Sequence, residues 1–135
     1  KMEVTMKKEH PITIAVVDDN ALIRESVKFR LKSLGYNVII EAENGQEFLD
    51  KLQDSHTPDI CVLDINMPVM NGLETTVHLK KEWPGMKIIF FSMEDSSIYI
   101  NKGIQLGADG FVAKDAPFMD LNNMLLSVIK QVQVA

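Results

Sequence analysis

Five short apolar runs alternate along this 135-residue chain with stretches patterned like amphipathic helices, and that alternation restricts the fold more than any other feature. The runs are residues 13–17, 37–40, 60–63, 87–91 and 110–113. The third, Ile60-Cys61-Val62-Leu63, is too brief for a helix and has no charged residue inside it, the pattern of a strand covered on both faces at the centre of a parallel sheet. After the first run, Ile23, Val27, Leu31 and Leu34 recur at three- and four-residue steps until Gly35, which predicts a helix and its stop. Asn44 followed by Glu47 resembles a capping pair opening a second helix through Leu52. A third helix is expected from the Met70-Asn71-Gly72 loop to Pro84-Gly85, with Leu73, Val77 and Trp83 inward. A fourth runs from about Ser96 to Leu106, stopped by Gly107. Pro117 opens a last one, striped by Phe118, Leu121, Leu125, Val128 and Val132. Five strand–helix units in strict alternation predict an α/β, doubly wound parallel sheet with helices on both faces, since each crossover is right-handed.

The length suits one domain. A formal net charge of -5 argues against direct nucleic-acid binding by this segment, because phosphate contacts need a basic face. The single cysteine, Cys61, leaves no internal disulfide and reads as a packed core thiol in a reducing compartment. No apolar stretch approaches the ~18–20 residues of a membrane span, and residues 1–9 are polar and lack the apolar core of a signal peptide. A cytoplasmic location is therefore expected. Residues 1–9 read as a tail, with Met6 a candidate native start and residues 1–5 an artificial addition, and residues 10–135 as the domain.

In an open parallel sheet ligands bind beyond the carboxyl ends of the strands, and four of the five runs end there in a chemically able group: Asp18-Asp19, Asp64, Ser92 and Lys114. Each alone has an ordinary reading, as a helix cap, a turn residue, a loop hydroxyl or a solvated charge. Together they converge on one rim. Three carboxylates held close repel one another, and a hard divalent cation resolves the repulsion. Mg²⁺ suits such a site because it takes oxygen ligands and keeps several waters. A lysine and a hydroxyl opposite the ion would receive the oxygens of a transferring phosphoryl group, and a carboxylate can itself be the acceptor. Asp64, between the acidic pair and Lys114, is the candidate.

With Asp18-Asp19, the Leu63-Asp64-Ile65-Asn66-Met67-Pro68 run, Asn71-Gly72, Ser92, Gly107-Ala108-Asp109-Gly110-Phe111 and Lys114 in place, the chain from about Ile12 to Val132 resembles the receiver domain of bacterial two-component response regulators. The resemblance implies a flavodoxin-like (βα)5 fold with strand order 2-1-3-4-5, the order of the family's chemotaxis member. It implies that Asp64 accepts a phosphoryl group from a sensor histidine kinase or a histidine phosphotransfer protein. It further implies that Asp19, Asp64 and the backbone carbonyl of Asn66 ligate Mg²⁺, with Asp18 acting through water. Lys114 would pair with the acceptor and then with its phosphate, while Ser92 and Phe111 occupy the two switch positions. A protein of this kind is no enzyme beyond its own phosphorylation and slow dephosphorylation.

Some positions depart from the common pattern. Met93 follows Ser92 where many members have alanine or glycine, and its bulk is expected to restrict access to the acyl phosphate. Lys114 precedes Asp115 rather than proline, so a cis bond is not assumed. Phe111 lacks a tyrosine hydroxyl. The Ser92-Met93 pair and Lys114-Asp115-Ala116 lean towards the LuxR/NarL-type subfamily, in which a DNA-binding helix-turn-helix domain follows and transcription is the output. His10, His56 and His78 lack metal-ligand spacing, and Met67 and Met70 read as loop packing. Met119, Leu126 and Ile129 place apolar residues outside the last helix's main stripe, which points to a homodimer or interdomain face. Two other readings compete. A haloacid-dehalogenase-type Mg²⁺ phosphohydrolase would need a carboxylate where Asn66 stands, and a degenerate receiver acting by docking alone would not need the full polar set.

Overall fold

Branched and aromatic side chains fill the apolar runs, and every run forms a strand: β1 (Thr13–Val17), β2 (Asn37–Ala42), β3 (Ile60–Leu63), β4 (Lys87–Ser92) and β5 (Gly110–Ala113). They alternate with α1 (Ala21–Ser33), α2 (Gly45–Leu52), α3 (Gly72–Glu82), α4 (Ser97–Gln105) and α5 (Phe118–Val134). The computed structural model describes residues 11–134; the expected tail over 1–9, Met6 and His10 lie outside the described residues. All pairings are parallel and the sheet order is β2-β1-β3-β4-β5, the flavodoxin-like arrangement expected.

Although β3 is buried throughout, alternate residues serve different layers. Ala15, Val17, Cys61, Leu63, Ile88 and Phe90 join one core with α2 and α3 side chains, including Phe48 and Leu79. Ile14, Val16, Ile60, Val62, Ile89 and Phe91 join a second with α1 and α5, including Leu31 and Leu125. Each large side chain so buried contributes about 1.5–3 kcal/mol relative to exposure. Cys61 is wholly buried and burial pushes its thiol far up, so it is an inert core residue.

Two expected inward residues are at the surface. Leu34 is 48% exposed because it caps α1 rather than continuing it, and the chain reverses at Gly35 with φ +93°. Tyr36 packs against that core in its place. Val77 is 49% exposed because α3 turns Gly72, Thr75, Thr76 and Leu79 inward. The two threonines can be buried because their hydroxyls donate to the carbonyls of Asn71 and Gly72, at 2.7 and 2.8 Å. Leu73 and Trp83 do pack partly against the core. On α5 the contact face is wide enough to take Ile129, while Met119 and Leu126 remain exposed. His56 and His78 are exposed, and Met67 and Met70 pack against the α2–α3 core.

Candidate functional site

Strand register brings the site together. Val17 is paired with Leu63, so the residues that follow them, Asp18 and Asp64, leave the sheet side by side. The Asp64 N–H still donates to the Val17 carbonyl, at 3.0 Å. Ser92 is paired with Ala113, which puts Lys114 one step further along the same rim. Because β1 lies between β2 and β3, the chain's crossovers diverge here, opening a crevice at the topological switch point.

Asp18 and Asp64 are 3% and 5% exposed, and Asp19 is exposed above them. Oxygens of the three carboxylates lie within 4.8 Å of one another, close enough to serve one metal ion. Lys114 extends its buried ammonium between two of them, 2.6 Å from Asp18 Oδ2 and 3.1 Å from Asp64 Oδ2. Asp18 Oδ1 accepts from the Asn20 N–H at 2.9 Å. Burial pushes the Asp18 carboxyl above its ordinary value of 3.8, against the opposing hydrogen bond and charge of Lys114. One cation thus faces three acidic groups, and the remaining negative charge is what a hard cation would neutralise.

The other predicted residues form the rim. Ser92 is buried, and its Oγ accepts from the Glu94 N–H at 3.1 Å. Glu94 in turn accepts from the Asn66 side-chain amide at 3.3 Å and from the Ser96 N–H at 3.0 Å. The loops after β3 and β4 are thereby linked through Glu94. Phe111 is half-buried against the α2–α3 core, and Met93 is 61% exposed. Among the described residues no peptide bond is cis, Lys114–Asp115 included.

The loop after β3 returns to the sheet through α3. Asn71 caps that helix in a complete capping box with Glu74, and the Gly72 N–H donates to the Ile65 carbonyl at 2.7 Å. A side chain at Gly72 would run into the backbone of Asp64 and Ile65.

Sequence reasoning missed Arg24, Glu94 and the close approach at Gly72. Arg24 donates from Nη1 to the backbone carbonyl of Asp18 at 2.6 Å. A signal for it existed: a cation near the start of α1, in a first turn without an acidic residue, runs against the helix dipole.

The response regulator receiver domain family matches residues 14–126. The nitrate/nitrite response regulator protein NarL of Escherichia coli strain K12 is 36% identical over 118 residues, covering 86% of this chain and 54% of NarL. The chemotaxis protein CheY of Thermotoga maritima is 36% identical over 101 residues, covering 75% and 83%. The crystal structure of a CheY-like response regulator receiver domain protein from Methanospirillum hungatei superimposes with a TM-score of 0.82 at 28% identity, covering 93% of this chain and 99% of that one. This chain spans about half the length of curated relatives such as NarL.

Proposed function

This chain belongs to the response regulator receiver domain family, and from that premise we propose that Asp64 is the phosphoacceptor of a two-component signalling switch. The observation that carries the reading is the Lys114 ammonium seated between Asp64 and Asp18, with Asp19 alongside. The donor is a phosphohistidine on a sensor histidine kinase or a histidine phosphotransfer protein. An Asp64 oxygen attacks phosphorus, the phosphorus–nitrogen bond breaks, and the departing imidazole takes a proton. Mg²⁺ neutralises phosphoryl charge when bound; Asp19, Asp64 and the Asn66 carbonyl would hold it, with Asp18 acting through water. Lys114 orients the acceptor and then pairs with its phosphate.

Phosphorylation adds a strong acceptor group to a buried rim. The Ser92 hydroxyl donates to that group, Phe111 follows inward, and the population moves to the state that makes these contacts. The domain is assigned to residues 10–135 and the tail to 1–9. Output is transcriptional, through a DNA-binding region of a longer protein; in support, the transcriptional regulatory protein DegU of Brevibacillus brevis is 32% identical over 122 residues. Met119 and Leu126 on α5 offer a face for a homodimer. The setting is cytoplasmic, in keeping with the response regulator receiver family. Among the described residues no helix is long and apolar enough to cross a membrane. A phosphohydrolase is not favoured, since Asn66 has an amide where that chemistry needs a carboxylate. A docking-only receiver would leave the buried charged set without a purpose.

Incubation with Mg²⁺ and acetyl phosphate or a phosphorylated kinase, followed by intact mass, tests the assignment. Wild type should gain one hydroxylamine-labile phosphoryl group and Asp64→Ala none. Turnover of phosphomonoesters would favour the hydrolase, and no reaction at all the docking module. Met93→Ala should shorten the phosphoryl lifetime severalfold by opening the rim to water; an unchanged decay rate removes Met93 from the access role.

A further inference from the structure

We propose that Arg24 is a positioning residue for the cation-binding loop, acting through the Asp18 backbone; this rests on the reading of the acidic pocket as a cation site. Its side chain is only 16% exposed, and Nη1 donates to the Asp18 carbonyl at 2.6 Å. On the other side, Nε lies 3.7 Å from Glu41 Oε1 on β2. Glu41 is itself anchored: Oε2 accepts from Lys28 at 2.9 Å, and its backbone carbonyl accepts from Lys51 at 2.7 Å.

The Asp18 N–H donates to the Ala42 carbonyl, one residue past Glu41, at 3.0 Å. Both peptide groups flanking Asp18 are therefore tied to β2, one directly and one through Arg24 and Glu41. The Asp18 carbonyl shares a rigid peptide plane with the Asp19 N–H. Holding that plane sets the direction in which the Asp19 side chain leaves the turn. Glu41 also keeps the guanidinium on the carbonyl; a free guanidinium would be drawn to the carboxylates themselves. Groups that orient ligands from one layer back commonly govern metal affinity by about 10–100-fold when removed.

Charge alone predicts the opposite result, which makes the role testable. A cation near a cation site repels the ion, so deleting it should tighten binding if electrostatics were all that mattered. Positioning predicts weaker binding. Mg²⁺ and Mn²⁺ are titrated into the full chain by calorimetry, at a temperature where circular dichroism shows each variant folded. Arg24→Ala should raise both dissociation constants about tenfold, and Arg24→Lys should recover part of the loss. Lys32→Ala, which removes an exposed charge from the same helix, should leave them unchanged or lower them. Arg24→Met keeps the apolar stem without a donor and carries the same expectation should Arg24→Ala not fold. Arginine variants that bind as tightly as wild type, or tighter, overturn the role while leaving the pocket's reading intact. A wild type that binds neither ion overturns both.

Discussion

Gly72→Ala should destabilise the protein by about 2–3 kcal/mol and slow phosphorylation of Asp64 by about 100-fold. Gly72 has no positive φ, so the cost is one of space. A Cβ there would meet the Asp64 carbonyl oxygen, and would lie 2.8 Å from Ile65 Cα and 3.1 Å from the Asp64 carbonyl carbon. All three are backbone atoms that no rotamer change can move. In a helix alanine is favoured over glycine by about 1 kcal/mol, and overpacking costs typically 1–3 kcal/mol or more. Because the clash falls on backbone, the larger value applies. Relief requires the Asp64–Ile65 peptide to shift, and Asp64 shifts with it, away from the Lys114 ammonium it meets at 3.1 Å. Gly85→Ala is the control: nothing lies within 4 Å of its added carbon, and its effect should stay within about 0.5 kcal/mol. Urea unfolding and the initial rate of mass gain measure the two effects. Equal unfolding midpoints for the two variants would show that the loop after β3 yields freely, contrary to the contacts described.

That loop also marks where sequence reasoning reached its limit. Alternating apolar runs suffice to define the strands, because a four-residue buried run such as Ile60–Leu63 has few other uses. From the strand ends the convergence of Asp18, Asp64, Ser92 and Lys114 follows, since parallel strands share one carboxyl edge. The pairing of Val17 with Leu63, which makes Asp18 and Asp64 neighbours, does not follow; it is a register, fixed by packing on both faces. Contacts made through backbone atoms leave at most an indirect sign, as the cation at the start of α1 does for Arg24. Arg24 acts on a carbonyl, Glu94 on the N–H of Ser96, and Gly72 matters for a side chain it lacks. None of these leaves a periodic trace. Threonine burial on α3 defeats hydropathy for a related reason: an i−4 carbonyl satisfies each hydroxyl, so polarity does not mark the outer face and Val77 is displaced to it.

Lys114→Met should cost about 3–5 kcal/mol at neutral pH in the absence of metal. The Lys114 side chain is 8% exposed and the side chains of the two aspartates it bridges are 4% and 6% exposed. Solvent therefore screens little of what is lost. Methionine fills much of the same space, which separates the missing charge from a missing side chain. The cost should depend on pH in a defined direction. Burial already raises the Asp18 carboxyl above its ordinary value, and Lys114 is the main influence holding it down. Without the lysine Asp18 rises further, so the folded state binds a proton more readily than the unfolded chain does. Stability then falls as pH rises from the ordinary carboxylate value through the raised one, and returns as pH is lowered. The gap between variant and wild type should accordingly be widest near pH 7 and narrow on acidification. A divalent cation should close it from the other side: an ion among Asp18, Asp19 and Asp64 replaces the missing charge, and stabilises the folded form by mass action. Mg²⁺ should therefore raise the melting temperature of Lys114→Met by more than that of wild type. Denaturation at a series of pH values, with EDTA or with excess Mg²⁺, resolves both dependences. A variant as stable as wild type at pH 7 in EDTA would mean that the acidic cluster is neutralised by something other than Lys114, and the electrostatic account of the site would fail with it.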